Sequence, residues 1–266
     1  MPLADYHEQF AAVYDLLYAR RDVAGEARIA VELMGLAGMM HGSRHILDFG
    51  CGTGSHALAF GEMGVNVIGF DRSEAMIAHA RAKTPVPESG KVSFASGSLA
   101  SFCAQLDGLR FDGVVSFFNV LNCMETPREM VEHLRLLHGR LIPEGRMLID
   151  VWNGAAVFVD EPRPAVKHFA VEGQPDCETV RITTPTLDRI QQCCTLHYRI
   201  LNLDRRTGNF TEFESVHKLR FLTPVQYRHL FELAGLEIVD EFPKTRPKTP
   251  VTEHDWYISY LVRRSA

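Results

Sequence analysis

Long apolar runs are missing from this 266-residue sequence: none approaches the roughly 20 residues that a membrane-spanning helix needs. The opening "PLADYHEQF" lacks the basic start and apolar region of a secretory signal. Together these absences point to a cytoplasmic protein. Cysteine is scarce, six in all (Cys51, Cys103, Cys123, Cys177, Cys193, Cys194), with no CxxC spacing. That sets aside a disulfide framework or a zinc ribbon in favour of reduced thiols, with Cys193 and Cys194 read as packing residues of a strand. A basic excess is missing too, since 28 Lys and Arg face 33 Asp and Glu for a formal net charge of -5; a nucleic-acid partner is not expected. No internal repeat, low-complexity tract, metal-ligand cluster or constellation of nucleophile, base and orienting acid stands out. What is present is an ordinary globular composition, 46% hydrophobic and 23% charged, at a length suited to one α/β domain with a sizeable insertion.

Apolar spacing makes helices of residues 5–19 and 22–40, with Phe10, Tyr14, Leu17 and then Ile29, Leu33, Leu36 recurring on one face. "HILDFG" reads as a buried strand and "SHALAFGEMG" as a helix capped by Ser55. There follow strand "NVIGFD", a helix opened by Ser73, strand "KVSFAS", a short helix near 98–106, strand "FDGVVSFF", a helix over 127–139, a turn at "LIPEG" and strand "RMLIDVW". This alternation argues for a parallel sheet with helices on both faces. From about 165 to 222 the period changes to two. Phe213, Ser215, His217, Leu219 and Phe221 share one face and Glu212, Glu214 and Lys218 the other, as an inserted antiparallel sheet requires. A helix capped by Thr223 with Pro224 in its first turn resumes the pattern. Two last strands, "LEIVDEF" and "HDWYISYLVR", leave no room for a crossover helix and should pair antiparallel, one at an edge.

Gly50, Gly52 and Gly54 lie between the first strand and its helix, so a ligand can touch bare backbone there. The helix amino end beyond them offers unpaired N–H groups and partial positive charge. Asp71 closes the second strand, where a carboxylate can accept hydrogen bonds from both hydroxyls of a ribose, so an adenosine-bearing ligand is expected. The spacing is G-x-G-x-G, not the dinucleotide G-x-G-x-x-G. Asp48, two residues before Gly50, would oppose a pyrophosphate. A ligand carrying an amino group or cation fits better, which leaves a nicotinamide-dependent reductase as a distant alternative.

These segments resemble the class I S-adenosylmethionine-dependent methyltransferases. "LDFGCGTGSHALAF" is similar to the family's first motif, "VIGFDRSEAMI" to its acidic second-strand motif, "FDGVVSFFNVLNCM" to the fourth-strand motif and "LIPEGRMLIDV" to the fifth-strand region, across most of residues 40–152. The resemblance implies an α/β, Rossmann-like seven-stranded sheet with an inserted antiparallel β cover and an amino-terminal helical lid. It implies one methyltransferase domain over 1–266, with 1–40 as lid, 41–160 as cofactor-binding core, about 161–222 as inserted sheet and 223–266 completing the core. S-adenosyl-L-methionine is the implied donor. Gly50, Cys51 and Gly52, in one loop with Gly54 and near Asp48, would line its methionine part; Asp71 would hold the ribose, Arg72 flank it, and Ser98 with Leu99 sit by the adenine. Phe118 would be a pocket wall and Asn119 would face the methyl donor.

The amino-terminal segment resembles the lid of a branch that includes glycine N-methyltransferase and bacterial nucleotide-sugar N,N-dimethyltransferases. That implies Tyr14 near the sulfonium and Arg21, with Arg20 as rival, pairing with the methionine carboxylate. Transfer then requires mainly in-line proximity and exclusion of water. An amine must lose one proton first, whereas a hydroxyl needs a firmer base. Among the strand histidines His168, His197 and His217, His197 joins Tyr14 and Asn119 as a candidate catalytic residue. Lys244, Arg246 and Lys248 could face a nucleotide diphosphate or simply be solvated. The expected function is methyl transfer to a small molecule, favouring an amine and including a nucleotide-linked amino sugar. The alternatives are a small-molecule O-methyltransferase and a donor-binding regulatory protein without catalysis. Expected partners are a small-molecule acceptor, with no nucleic acid and no membrane; a homodimer is left open.

Overall fold

The computed structural model describes residues 6–36, 44–83 and 91–265. Seven strands form the main sheet: β1 (His45–Phe49), β2 (Asn66–Asp71), β3 (Val92–Ser96), β4 (Phe111–Ser116), β5 (Leu141–Trp152), β10 (Leu236–Pro243) and β11 (Tyr257–Arg264), in the order β10-β11-β5-β4-β1-β2-β3. The first five run parallel; β11 lies antiparallel between β5 and the edge strand β10. β4 is buried at every position, as a central strand covered on both faces must be. Neighbouring residues of β1 point to opposite faces, so Leu47 packs with Phe70, Val114, Leu134 and Tyr260, while Ile46 packs with Ala30, Ala57, Phe60 and Val115.

Helices α1 (Glu8–Leu17), α2 (Val23–Leu33), α3 (Ser55–Glu62), α4 (Glu74–Ala82), α5 (Leu99–Ala104), α6 (Pro127–His138), α7 (Gly154–Val159) and α8 (Pro224–Leu233) cover these faces. Their starts follow local chemistry. Ser73 Oγ accepts the Met76 N–H at 3.3 Å, Thr126 Oγ1 accepts the Glu129 N–H at 3.1 Å, and Gln226 Oε1 reaches back to the Thr223 N–H at 2.8 Å. Ser55 does not cap α3. Gly54, left-handed at φ 80°, holds the cap position without a side-chain bond, because the chain leaves the loop through a conformation that serine disfavours. "LIPEG" is likewise no separate turn: β5 runs through it, and the irregularity shows as a register jump from Phe111↔Leu141 to Gly113↔Arg146. The expected helix 22–40 ends at Leu33, and its segment 37–40, with the lid boundary at 40 and 41, lies outside the described residues.

Between β5 and α8 the chain makes a second sheet, β6 (Ala165–Val171), β7 (Gln174–Asp188), β8 (Cys193–Asp204) and β9 (Asn209–Arg220), all antiparallel and in sequence order. Its inner face is set by register. Thr183 lies opposite Tyr198 and Tyr198 opposite Ser215, while Leu196 lies opposite His217 and Cys194 opposite Leu219. This face packs on α1 through Phe10, Ala11 and Leu17, with Cys194 buried among them.

Asn122, in a short 3₁₀ turn (Leu121–Cys123) after β4, ties the two sheets together. It is fully buried; Nδ2 donates to Arg220 O at 2.6 Å and Tyr227 Oη at 2.7 Å, and Oδ1 accepts the Trp152 N–H at 3.2 Å. An Asn122→Ala variant strands three buried groups, so it should lose about 2–4 kcal/mol. Urea unfolding should show a lower midpoint at an unchanged slope; an unaltered midpoint would remove this side chain from the scaffold.

Candidate functional site

Strand order reverses between β1 and β4, and the loops leaving the carboxyl ends of the parallel strands open a cleft there. The cleft has two adjoining lobes. One, of about 330 Å³, is lined by Tyr6, Tyr14, Gly50, Gly52, Asp71, Arg72, Met76, Ser98, Leu99 and Phe118 among others. The second, of about 250 Å³, is lined by Tyr14, Asp15, Tyr18, Arg21, Asp48, Gly50, Cys51, Thr53, His56 and Phe118. Tyr14, Gly50, Phe117 and Phe118 belong to both.

The glycine loop forms the floor. Gly50 has φ 76°, and a Cβ there would stand 2.3 Å from Val120, so the turn admits no side chain. Gly52, at φ 54°, has Tyr14 as its nearest neighbour at 3.7 Å from a Cβ position and presents its backbone to the cleft. The Gly52 N–H donates to Asp71 Oδ2 at 2.9 Å, and the Ser73 N–H donates to Oδ1 at 2.9 Å. Burial still pushes the Asp71 carboxyl up from its ordinary value, against the pull of these amides. Asp48 is more isolated. It is 2% exposed, its Oδ2 has no hydrogen-bond partner, and burial followed by the charge of Asp71 raises its pKa to about 7.

The lid supplies charge of the other sign. Arg21 lies in the second lobe with its guanidinium 4.5 Å from the Phe118 ring centre; Arg20 is exposed and lines neither lobe. Arg21 Nε donates to Glu26 Oε2 at 2.8 Å and Arg21 Nη2 lies 2.7 Å from the same oxygen, so one edge of the guanidinium is held by Glu26. Glu26 also meets His56 Nε2 at 2.8 Å and Lys244 Nζ at 3.2 Å. Burial pushes the Glu26 carboxyl up, but hydrogen bonds from His56 and Arg21 and the charge of Lys244 hold it at about 2. The lid is also latched to the floor: Thr53 Oγ1 donates to Asp15 Oδ1 at 2.6 Å, and Lys83 Nζ sits 2.6 Å from Asp15 Oδ2.

Of the residues expected from sequence, the cleft brings together Tyr14, Arg21, Asp48, Gly50, Cys51, Gly52, Asp71, Arg72, Ser98, Leu99 and Phe118. Three are placed elsewhere. Gly54 lines neither lobe; a Cβ on it would meet the Phe94 ring at 2.7 Å, so it allows close packing of α3 on the sheet. Asn119 is buried behind the wall and lines neither lobe; with Phe118 it forms a left-handed pair, φ 69° and 65°, that turns the Phe118 ring into the cleft. His197 is exposed on the outer face of β8, because it alternates with the inward Leu196 and Tyr198. His168 is outward too and meets Glu178 at 2.6 Å. The inward histidine is His217, 3% exposed, with a pKa lowered to about 3 by burial and then by His7, Arg181 and Arg72.

Two of the three loop cations are already occupied, Lys244 Nζ lying 2.8 Å from Asp150 Oδ2 and Arg246 pairing with Asp255, and Lys248 is exposed. The Arg21, Glu26, His56, Lys244 network was not legible in advance, since its members come from three distant segments. Glu26 sits five residues beyond Arg21 at a helix start, which is a local hint only. Among the described residues no group of His, Cys, Asp or Glu is arranged to hold a metal, and no helix is long and apolar enough to cross a membrane.

Residues 46–145 match the model of a family described as a methyltransferase domain. Over 244 residues, 88% of this chain and 92% of the other, the sequence is 26% identical to the dTDP-3-amino-3,4,6-trideoxy-alpha-D-glucopyranose N,N-dimethyltransferase of Streptomyces venezuelae. The crystal structure of Streptomyces venezuelae DesVI superposes with a TM-score of 0.77 at 21% identity, covering 98% of this chain and 100% of that one. The sugar N-methyltransferase KedS8 of a Streptoalloteichus species superposes with a TM-score of 0.70 at 25% identity, covering 95% of this chain and 93% of its own.

Asp48 makes the site sensitive to pH. Its folded pKa of about 7 lies above the ordinary 3.8, so between those values the folded state holds a proton that the unfolded chain has released. The Asp48 contribution to stability therefore falls as pH rises through that window and levels off above it. An Asp48→Asn variant should gain on the wild type progressively from pH 4 to pH 8, by at most about 4 kcal/mol. Urea unfolding at several pH values measures this; a difference that does not change with pH would contradict the assignment.

Proposed function

We propose that this class I S-adenosylmethionine-dependent methyltransferase methylates an amine of a small-molecule acceptor held against the Tyr14, Tyr18 and Phe118 wall of the cleft, on the side toward the cover sheet. Bound S-adenosyl-L-methionine supplies a methyl group already activated on a sulfonium. The residues present fit that donor. Asp48 Oδ2 is a buried carboxylate oxygen without a hydrogen-bond partner, and Arg21 has the guanidinium edge not taken by Glu26; both residues line the second lobe, which suits the ammonium and carboxylate of a methionine end. Asp71, fixed by two backbone amides at the end of β2, would accept from the ribose hydroxyls, with Arg72 beside it and Ser98 and Leu99 along the adenine. Gly52 lets the donor lie on the backbone, and Tyr14 would close over the reacting carbon.

The observation that favours an amine is that four groups of the aromatic wall, Tyr6, Tyr14, Tyr18 and His217, are poor proton acceptors. Burial pushes the Tyr6, Tyr14 and Tyr18 phenols above their ordinary values, and His217 is held at about 3. None of these groups can take a proton from a hydroxyl near neutral pH, whereas an amine brings its own lone pair once its proton has gone to solvent. The rings of Tyr14, Tyr18 and Phe118 suit a positive charge that passes from sulfur to nitrogen. The relative named as an N,N-dimethyltransferase of a dTDP-linked amino sugar supports an amino sugar of that kind as acceptor. In this reading the chain works as one domain in which α1 and α2 form the lid and the second sheet the cover.

Labelled donor offered with paired acceptors, one bearing an amine and the other a hydroxyl at the same carbon, should pass label to the amine alone, faster as pH rises toward the amine's own pKa. Comparable transfer to the hydroxyl would overturn the proposal. The donor site has a separate check by titration calorimetry. Asp71→Asn should weaken donor binding by tenfold or more while the variant stays folded, and unchanged affinity would displace Asp71 from the site.

A further inference from the structure

Three exposed arginines on or beside the cover sheet each have an acid: Arg199 with Glu212, Arg205 with Glu178 and Arg189 with Glu161. Arg181 is the reverse case. It projects from the inner face of β7 and is 8% exposed, yet among the described residues no carboxylate pairs with it. Nη1 donates to the Tyr18 hydroxyl at 3.3 Å, and the guanidinium carbon lies 5.0 Å from the Tyr198 ring centre and 5.7 Å from those of Tyr18 and Phe169. Nε has no hydrogen-bond partner. Aromatic faces and one phenol compensate only part of what a guanidinium loses on leaving water. Lys167 stands directly opposite Arg181 in the register of β6 and β7, a like-charge juxtaposition that sheets avoid.

What this pair lacks is an anion, and its position says whose. Tyr18, which accepts from Arg181, lines the second lobe and packs edge-on against Phe118 with ring centres 4.7 Å apart. Arg181 thus stands one side chain behind the wall facing the donor. Arg21, in the second lobe, and the loop cations Lys244 and Arg246 already have carboxylates. We propose that Arg181, with Lys167 beside it, binds an oxyanion of the acceptor, a carboxylate or a phosphate, and so determines which small amines are methylated; this rests on the reading of the cleft as an amine-accepting site. The planar guanidinium takes either group in a two-point contact.

The test titrates acetate, inorganic phosphate and pyrophosphate into the full chain saturated with S-adenosylhomocysteine, by calorimetry and thermal shift. At least one should bind and raise the unfolding temperature. In Arg181→Met that anion should bind at least tenfold more weakly, while donor affinity stays within threefold and the anion-free unfolding temperature is equal or higher, because an unmatched buried charge has been removed. Should that variant not fold, Arg181→Lys keeps the charge but not the planar two-point contact and should weaken the anion several-fold. Acetate against phosphate separates the two oxyanion sources. No anion binding by the wild type, or equal binding by a folded variant, overturns the proposal. A failure of the amine reading is distinguishable, since it would appear as anion binding without label on any amine.

Discussion

The site depends on how the β1 loop crosses the end of β2. The two strands pair in parallel register from His45↔Asn66 to Phe49↔Phe70, after which the loop amides take over: Gly50 and Cys51 both donate to Phe70 O, at 2.7 and 3.1 Å, and Gly52 donates to the Asp71 carboxylate. Three successive N–H groups can converge on one strand end only if the backbone turns through left-handed conformations, which is the reason for glycine at 50 and 52. The consequence is a carboxylate that cannot swing away. Its position fixes the edge of one lobe, and the next residue, Thr53, carries the hydroxyl that latches α1. The glycine floor of the cleft and the lid are therefore oriented by one short run of backbone bonds.

Charge is distributed unevenly around that floor. Glu26 is over-supplied with donors, from Arg21, His56 and Lys244, and stays ionised. Asp48, on the same side of the cleft, has one unmet oxygen and a raised pKa. An acid kept poorly solvated beside a second acid disfavours the empty protein and favours a cation arriving there, since pairing relieves both the desolvation and the mutual repulsion. The same reasoning places Arg21, anchored on one edge by Glu26, with other N–H bonds left to give.

The sheet core was legible because its signals are local: glycines between a strand and a helix, capping serines and threonines, and a switch of period from helical to two-residue at 165. The edge pairing of β10 with β11 followed from a linker too short for a crossover. The failures share a cause. His217 was legible as inward, since it shares a face with Phe213, Leu219 and Phe221, whereas the choice of His197 passed over its alternation with Leu196 and Tyr198; a shift of one residue inverts every side chain. Asn119 faded because the left-handed pair at Phe118 and Asn119 redirects the chain after β4. Arg181 gave no signal beyond its parity with Thr183 and Leu187, since an inward arginine looks the same in sequence as a solvated one.

Helix α1 gives the arrangement its coupling. Phe10, Tyr14 and Tyr18 recur every fourth residue along it, and their rings form a chain: Phe10 touches Tyr198 and His217 of the cover, Tyr14 lies over Gly52, and Tyr18 bridges Phe118 and Arg181. A helix that packs on the cover while latched to the glycine loop cannot move against one without straining the other, because close-packed rings transmit displacement instead of absorbing it. An anion drawing on Arg181 would compete for the proton donated to Tyr18, and the ring that then shifts is the one packed on the donor wall. Under the proposed reading, acceptor charge and methyl-group geometry would share one row of aromatic side chains, with no need for a separate moving part.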